Sequence, residues 1–116
     1  FWCTTEGGWT GEVDIAEWKG SSTVWQNTYD GGWETKTTNN SNNTYYKTHM
    51  QLKSTSSGQN DAWVWLYIDG DWKATHTGSN FRNKNFWLIR NLQMEGSSGS
   101  PGPTSAQFTC RSISQW

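Results

Sequence analysis

Three carboxylates lie within six residues of the sequence, at Glu12, Asp14 and Glu17. Because the side chains of a β-strand alternate between its two faces, Glu12 and Asp14 share one face, and Val13 and Ile15 point to the other. Glu17 would fall on the apolar face of a regular strand, but one β-bulge between Asp14 and Glu17 restores it to the acidic face. We therefore predict three carboxylates on one face, and we expect their repulsion to raise at least one pKa.

Carboxylates in this arrangement could perform glycoside hydrolysis. A retaining glycosidase places a nucleophilic carboxylate about 5–5.5 Å from a second, protonated carboxyl group across the scissile bond. The plainer alternative is a solvated strand whose acidic residues simply face water. Only 10 residues of the chain are Asp or Glu, so three of them within one strand favour the catalytic interpretation.

Ten tryptophans make the chain rich in aromatic residues. Some of them must be buried, since there are few Leu and Ile side chains to form a core. Indole rings also stack on the C–H faces of pyranose sugars, and this makes Trp9, Trp18 and Trp25 candidate sugar platforms. The core and platform interpretations both stay open for these three. Trp63 and Trp65 share one face of a predicted strand, which looks toward solvent or sugar if the other face is core.

The segments that must position these residues are predicted to be strands. Short runs rich in Val, Ile, Thr, Trp and Tyr alternate with Gly, Asn and Ser, and no stretch keeps a helical apolar period. Asp69-Gly70 predicts a two-residue hairpin, because a type I′ turn needs positive φ angles. The predicted fold class is all-β, an antiparallel β-sandwich or jelly roll. Strands are predicted at residues 12–18, 23–29, 45–53, 62–68, 71–76, 86–92 and 107–114, and loops at 39–44 and 95–105.

Length and charge limit the partners. A chain of 116 residues fits one domain, residues 1–116, and excludes a two-domain cofactor enzyme. Its formal net charge of −1 gives no general attraction to phosphate backbones or anionic lipids, so we expect no nucleic acid and no membrane partner. No run approaches the ~20 apolar residues of a membrane span.

Two cysteines, Cys3 and Cys110, lie near opposite ends of the chain. A disulfide between them would remove roughly 4–5 kcal/mol of unfolded-state entropy, and two unpaired thiols are the alternative. Glycosylation sequons begin at Asn39 and Asn42. These features favour an extracellular, secreted protein.

No metal site or catalytic cofactor is predicted. His49 and His76 have no zinc-ligand spacing to each other or to the cysteines. A structural calcium ion at Asp69 or Asp71 stays open. The absence of a Gly-x-Ser-x-Gly motif removes the usual anchor of a Ser-His-Asp hydrolase.

The segment 12–17, E-V-D-I-A-E, resembles the Glu-x-Asp-x-(x)-Glu signature strand of glycoside hydrolase family 16, the β-jelly-roll glucanases and agarases. Weaker motifs surround it in the family's order: Phe1-Trp2, Trp9-Thr10-Gly11 and segments 24–29, 65–70, 86–96 and 108–116. The resemblance implies a concanavalin-like jelly roll with Glu12 as nucleophile, Glu17 as general acid/base and Asp14 tuning the nucleophile. It also implies substrate contacts from Asn27, Tyr29 and Asn91.

The resemblance further implies that Cys3 and Cys110 lie on adjacent strands and form a disulfide. The chain departs from the family at Gln93, where a Trp usually follows the Asn-Leu pair, and in its length, which is about half of a typical ~200–250-residue sandwich. Missing strands would leave sheet edges uncovered. We therefore expect a homo-oligomer or filament, or a chain completed by an absent N-terminal half.

The favoured function is a retaining endo-glycoside hydrolase acting on a β-linked polysaccharide. The alternative is a non-catalytic carbohydrate-binding or self-assembling extracellular protein on the same fold, which the short chain favours. A polysaccharide lyase would need a Tyr or His base and a neutralising Arg or Asn. Tyr29, His49 and Arg90 provide those residue types without a motif.

Overall fold

The chain forms two antiparallel β-sheets in a computed structural model that describes residues 1–7, 11–40, 47–55, 60–92 and 107–114. Within these ranges, one sheet has the strand order β4-β3-β2-β1-β8 and the other β5-β6-β7. No helical segment there has the length and apolar character that a membrane crossing requires. The elements are β1 Trp2–Thr5, β2 Glu12–Trp18, β3 Thr23–Tyr29, β4 Trp33–Asn39, β5 Thr48–Ser54, β6 Ala62–Ile68, β7 Asp71–Gly78, a 3₁₀ turn Phe81–Asn83 and β8 Phe86–Ile89.

The core lies between the inner faces of the two sheets. Every second residue of β6 is buried, and the residues between them point outward. The same alternation in β2 buries Val13 and leaves Glu12 half-exposed. The predicted all-β antiparallel sandwich is thus confirmed. The central buried cluster contains Cys3, Val13, Ile15, Ala62, Val64, Leu66, Ala74 and Phe81.

Phe81 is buried between two glycines that make room for its ring. A Cβ atom at Gly11 would lie 2.7 Å from Phe81 Cε1, and one at Gly78 would overlap the ring. Gly11 immediately precedes β2, and its carbonyl accepts a 2.9 Å hydrogen bond from the Thr5 amide. Packing of Phe81 against Gly11 therefore fixes the backbone at the start of β2, the strand that carries Glu12, Asp14 and Glu17.

The predicted Asp69-Gly70 turn joins β6 to β7. Both residues have positive φ angles, 53° and 91°, as a type I′ turn requires. Asp69 Oδ1 accepts a 2.8 Å hydrogen bond from the Lys47 amide, and Asp71 forms an ion pair with Lys73. Both carboxylates that could have bound calcium therefore have protein partners, and no His, Cys, Asp and Glu side chains of the described ranges cluster as a metal site.

The prediction of a strand over 107–114 is wrong. These residues form no strand and are all exposed, so their apolar side chains do not cover a sheet. Phe108 and Cys110 instead line a shallow surface pocket with Asn91 just beyond β8. Strand β8 is also shorter than the predicted strand over 86–92, because it ends at Ile89. The predicted loop at 95–105, as well as residues 45 and 46 of the predicted third strand, lie outside the described residues.

The edge strand β4 is absent from the sequence prediction. It pairs with β3 in unbroken register from Trp33 to Asn39, yet most of its residues are exposed. Its sequence has no alternating apolar residues, which is the signal that strand prediction relies on. Glu34 accepts a hydrogen bond of 2.6 Å from the Thr77 amide of β7, so a polar contact joins this edge to the other sheet.

The predicted disulfide is wrong, since Cys3 and Cys110 are both free thiols. Cys3 alternates with outward residues of β1 and points into the core, where its sulfur lies 3.9 Å from Met50 Sδ. Burial raises the pKa of the Cys3 thiol to about 12. Cys110 is exposed in the segment that forms no strand, so the two cysteines are not on adjacent strands.

Candidate active site

The predicted bulge is present in β2. Asp14 pairs with Asn27 and Glu17 with Trp25, so three steps along β2 match two steps along β3. Glu12 pairs with Tyr29. Since Trp25, Asn27 and Tyr29 are spaced by two on β3, they share a face, and each directly paired carboxylate lies on that face with them. The structure thus brings all three carboxylates to the outer face of the five-stranded sheet, which we call the acidic face.

A buried glutamine stabilises the bulge from behind. Gln26 is fully buried on the inner face of β3, and its Nε2 donates a 2.9 Å hydrogen bond to the Ile15 carbonyl. The same amide lies 3.4 Å from the Tyr67 carbonyl of the other sheet. Ile15 and Ala16 are consecutive and both buried, as expected where an extra residue interrupts the alternation. The Gln26 amide thus provides a partner for backbone at the bulge, where the ladder is interrupted.

Asp14 is the most buried of the three carboxylates, with 9% exposure. Its Oδ2 accepts a 2.7 Å hydrogen bond from Asn27 Nδ2. Burial raises the pKa of Asp14 to about 6, the Asn27 hydrogen bond acts in the opposite direction, and the charges of Glu12 and Glu17 raise the pKa further. A raised carboxyl pKa was expected from charge repulsion, but its largest cause is desolvation.

Glu12 and Glu17 flank Asp14 and are more accessible to solvent. Glu17 Oε2 lies 3.3 Å from Lys19 Nζ, in an ion pair whose side chains are both 42% exposed. Lys19 Nζ also lies 4.8 Å from the centre of the Trp25 ring. A surface pair of this kind contributes about 0–1 kcal/mol, so Lys19 can leave Glu17 at little cost when a ligand arrives.

Aromatic side chains border the carboxylates on the β1 and β8 side. Trp2 pairs with Asp14, and Trp87 of β8 pairs with Thr4, so both indoles lie on the acidic face. Trp2 Nε1 donates a 3.1 Å hydrogen bond to Asn91 Oδ1, which brings the predicted Asn91 to the edge of this face. The Trp87 side chain is 61% exposed.

A second aromatic group borders the carboxylates on the β3 and β4 side. Tyr29 and Trp33 pair with each other, and their ring centres are 5.0 Å apart. Trp25 stands on the same face, two positions from Asn27. The acidic face is therefore an open surface across five strands, with indole or phenol rings on both sides of the carboxylates.

Two predicted platforms are not part of this surface as described. Trp18 directly follows Glu17 and points to the opposite face, where it packs against Ala16, Val24 and Ile68. It belongs to the core, because it is the residue after Glu17 and neighbouring residues of a strand point to opposite faces. Trp9 lies outside the described residues.

Sequence reasoning missed several residues of the site. In the sequence, Gln26 looks like any other polar residue of a strand, and only its position behind the bulge shows that it binds the Ile15 carbonyl. Trp33 and Trp87 lie far from the signature in sequence. Strand pairing, which a single sequence does not reveal, places them beside it. The order of Phe1-Trp2 before the signature was the available signal for Trp2.

No protein-family model matches the chain, and no solved structure matches it. A galactan endo-β-1,3-galactanase from Flammulina velutipes is 42% identical to it over 106 residues. The match covers 90% of this chain and 43% of the relative. The chain thus spans less than half the length of that relative. All three carboxylates lie on one strand of a chain that is similar to part of this endo-β-1,3-galactanase.

Proposed function

We propose that this domain provides the catalytic strand of a retaining endo-glycoside hydrolase that cleaves a β-linked polysaccharide. The main support is that Glu12, Asp14 and Glu17 share one outer sheet face bordered by exposed aromatic rings. The similarity to an endo-β-1,3-galactanase supports the reaction class and makes a β-1,3-linked galactan the substrate to test first. The resemblance of E-V-D-I-A-E supports membership of glycoside hydrolase family 16.

In this proposal Glu12 attacks the anomeric carbon and forms a covalent glycosyl-enzyme intermediate. Glu17 protonates the departing glycosidic oxygen and then removes a proton from the water that hydrolyses the intermediate. The leaving sugar departs with the proton of Glu17, and the water restores both carboxyl groups at the end of the cycle. Two inversions at the anomeric carbon give overall retention of configuration.

The protonation state of Asp14 determines how much negative charge lies between Glu12 and Glu17. Its pKa of about 6 lets it hold a proton in mildly acidic solution, where three adjacent carboxylates would repel one another. The hydrogen bond from Asn27 holds its side chain in place. A protonated Asp14 can donate a hydrogen bond, which an ionised carboxylate cannot, and this suits a positioning role beside the nucleophile.

The open shape of the acidic face supports internal cleavage of a polymer. Trp87 and Trp33 are 61% and 53% exposed and lie on opposite sides of the carboxylates. A sugar chain that crosses the strands could stack on both groups while its middle lies over Glu12 and Glu17. Because such polymers are met outside the cell, we propose that the protein is secreted.

The test measures new reducing ends released from β-1,3-linked galactan. Glu12→Gln and Glu17→Gln are expected to lower the rate by at least about a hundredfold, since each removes a proton-transfer or nucleophilic group. Asp71→Asn is the control, because this exposed carboxylate lies on β7 of the three-stranded sheet, where it forms its ion pair with Lys73. Proton NMR of the first product, before mutarotation, reports its anomeric configuration.

Cleavage that is equal in the protein and Glu12→Gln would contradict the hydrolase proposal. A first product of inverted configuration would contradict only the nucleophilic role of Glu12. Absence of any cleavage by a chain extended to the length of the relative would favour the second candidate.

That second candidate is a non-catalytic carbohydrate-binding or self-assembling protein. It is supported by β4 and β8, which are the outer strands of the five-stranded sheet among the described residues. Unpaired edges recruit other strands. Sedimentation velocity distinguishes a homo-oligomer or filament from a monomer, and binding without cleavage would separate this candidate from the hydrolase.

A further inference from the structure

The outer face of the three-stranded sheet has a row of aromatic rings along its central strand. Trp63, Trp65 and Tyr67 alternate with the buried residues of β6 and therefore all point away from the core. From Trp63 to Tyr67 the row spans about 13 Å, at ~3.3 Å per residue. This row lies on the opposite side of the sandwich from the acidic face.

Polar side chains border the row on both neighbouring strands. On β5, Lys53 pairs with Trp63, Gln51 with Trp65 and His49 with Tyr67. On β7, Thr77 pairs with Trp63 and Thr75 with Trp65. The aromatic row is thus one residue wide, with hydrogen-bonding groups beside its rings.

A second bulge brings one more aromatic ring to this surface. Leu66 pairs with Ala74 and Tyr67 with Trp72, so β7 has an extra residue between these pairs. Without it, Trp72 would be opposite Ile68 and would point inward. Trp72 is 59% exposed, and its Nε1 donates a 3.1 Å hydrogen bond to Thr75 Oγ1, which holds the indole beside the row.

Contacts within the surface order its rings before any ligand binds. The His49 and Tyr67 rings stack at 4.3 Å with an angle of 9° between their planes. Lys53 Nζ lies 5.4 Å from the centre of the Trp65 ring. Trp63 is 41% exposed and offers free ring surface. Rings ordered in this way bind a ligand with a smaller entropic cost.

We propose that the face formed by Trp63, Trp65, Tyr67 and Trp72 is a second binding surface for a neutral polysaccharide. A pyranose ring has apolar C–H faces and a rim of hydroxyl groups, so it needs flat aromatic surface with polar partners on either side. A protein partner would instead favour a broad apolar centre with a polar rim. The identity of the polymer, a β-1,3-linked galactan, rests on the proposed function.

Two separate surfaces on one domain would increase retention on a long polymer. The acidic face and the aromatic row are on opposite sheets, whose backbones are about 10 Å apart. Once one surface holds a polymer, a second segment of it is at high effective concentration for the other surface. The aromatic row would therefore hold the domain on its substrate between cleavage events.

The test is affinity electrophoresis in gels with increasing soluble β-1,3-linked galactan, with Glu12→Gln present throughout so that the polymer is not cut. Trp63→Leu is expected to weaken binding about tenfold, because truncation of an aromatic anchor typically has an effect of this size. Trp63→Phe keeps a ring and should retain most of the affinity. Leu52→Ala is the control, since it removes an exposed apolar side chain of the same sheet without removing a ring.

Circular dichroism and the thermal midpoint check that each variant is folded, and Trp63→Phe provides a second folded comparison. Equal galactan affinity in Trp63→Leu and its parent, or no galactan binding by the parent, overturns the proposal. A dimer that Trp63→Leu dissociates overturns it as well, because the face would then bind a second copy. Cleavage is measured separately on the unsubstituted protein. If that protein does not cleave galactan but binding still depends on Trp63, only the proposed function is rejected.

Discussion

Asn27 Nδ2 donates a 2.7 Å hydrogen bond to Asp14 Oδ2 across the pair of β2 and β3. The bond joins the most buried carboxylate of the acidic face to the next strand. Burial raises the pKa of Asp14 and this bond lowers it, with about 6 as the result. Asp14 therefore changes charge near neutrality, between the two carboxylates that we propose as nucleophile and general acid/base.

Replacement of Asp14 by Asn is expected to stabilise the fold at neutral pH. The folded pKa of about 6 exceeds the ordinary aspartate value of 3.8, so the folded state binds this proton more tightly than the unfolded state does. The resulting stability is present below about pH 4 and is lost as pH rises through 6. About two pKa units correspond to ~3 kcal/mol, which is the upper limit of the gain in Asp14→Asn at pH 7.

Urea unfolding at about pH 3.5, 5 and 7 checks this. The free energies of unfolding of Asp14→Asn and the parent should coincide at the lowest pH and diverge as pH rises. Asp71→Asn is the control, because this carboxylate is 79% exposed and its surface ion pair contributes less than ~1 kcal/mol. A difference that is independent of pH would show that Asp14 has an ordinary proton affinity.

Replacement of Gln26 by Met is expected to destabilise the bulge. The change keeps the side-chain volume close to that of Gln26 but removes the 2.9 Å hydrogen bond to the Ile15 carbonyl. An unsatisfied buried carbonyl costs about 1–3 kcal/mol of folding free energy. Amide chemical shifts should change most at residues 15–17, and catalysis should fall as Glu17 leaves its register. Thr28→Val, which removes a different buried hydrogen bond on β3, should leave those shifts in place.

Replacement of Gly11 by Ala is expected to lower the free energy of unfolding by about 1–3 kcal/mol. The new Cβ would meet Phe81 Cε1 at 2.7 Å and Thr5 Cγ2 at 3.0 Å in a filled core. Gly32→Ala is the control, since a Cβ there has no neighbour within 4 Å. Phe81→Leu should reduce the effect of Gly11→Ala when the two are combined. Equal stabilities of Gly11→Ala and Gly32→Ala would show that the ring moves without cost.

Thiol titration is expected to find one fast-reacting cysteine in the folded protein and two after unfolding without reductant. Cys110 is exposed, whereas Cys3 is 1% exposed with a pKa of about 12. The thiolate is the reactive form, so both burial and the raised pKa protect Cys3. Cys110→Ser should remove the fast phase. No reactive thiol in the unfolded, unreduced protein would mean that the two cysteines are bonded.

Local regularities of the sequence determined the class of the fold and the centre of the site. The alternation of Glu12 and Asp14 with Val13 and Ile15 requires only that side chains alternate along a strand. Asp69-Gly70 predicts its turn from backbone sterics alone. The bulge before Glu17 follows from the number of residues between acids that must share a face, which is also a local property.

Tertiary structure decided which residues surround that centre. Trp18 and Trp25 are equally plausible platforms in sequence, but the register across the bulge buries one against the core and leaves the other on the acidic face. Strand β4 has no apolar alternation and forms because the edge of β3 offers hydrogen bonds. Cys3 and Cys110 are separated because one faces the core and the other lies on an exposed segment. Pairing, burial and desolvation depend on residues distant in the chain, so only the folded structure determines them.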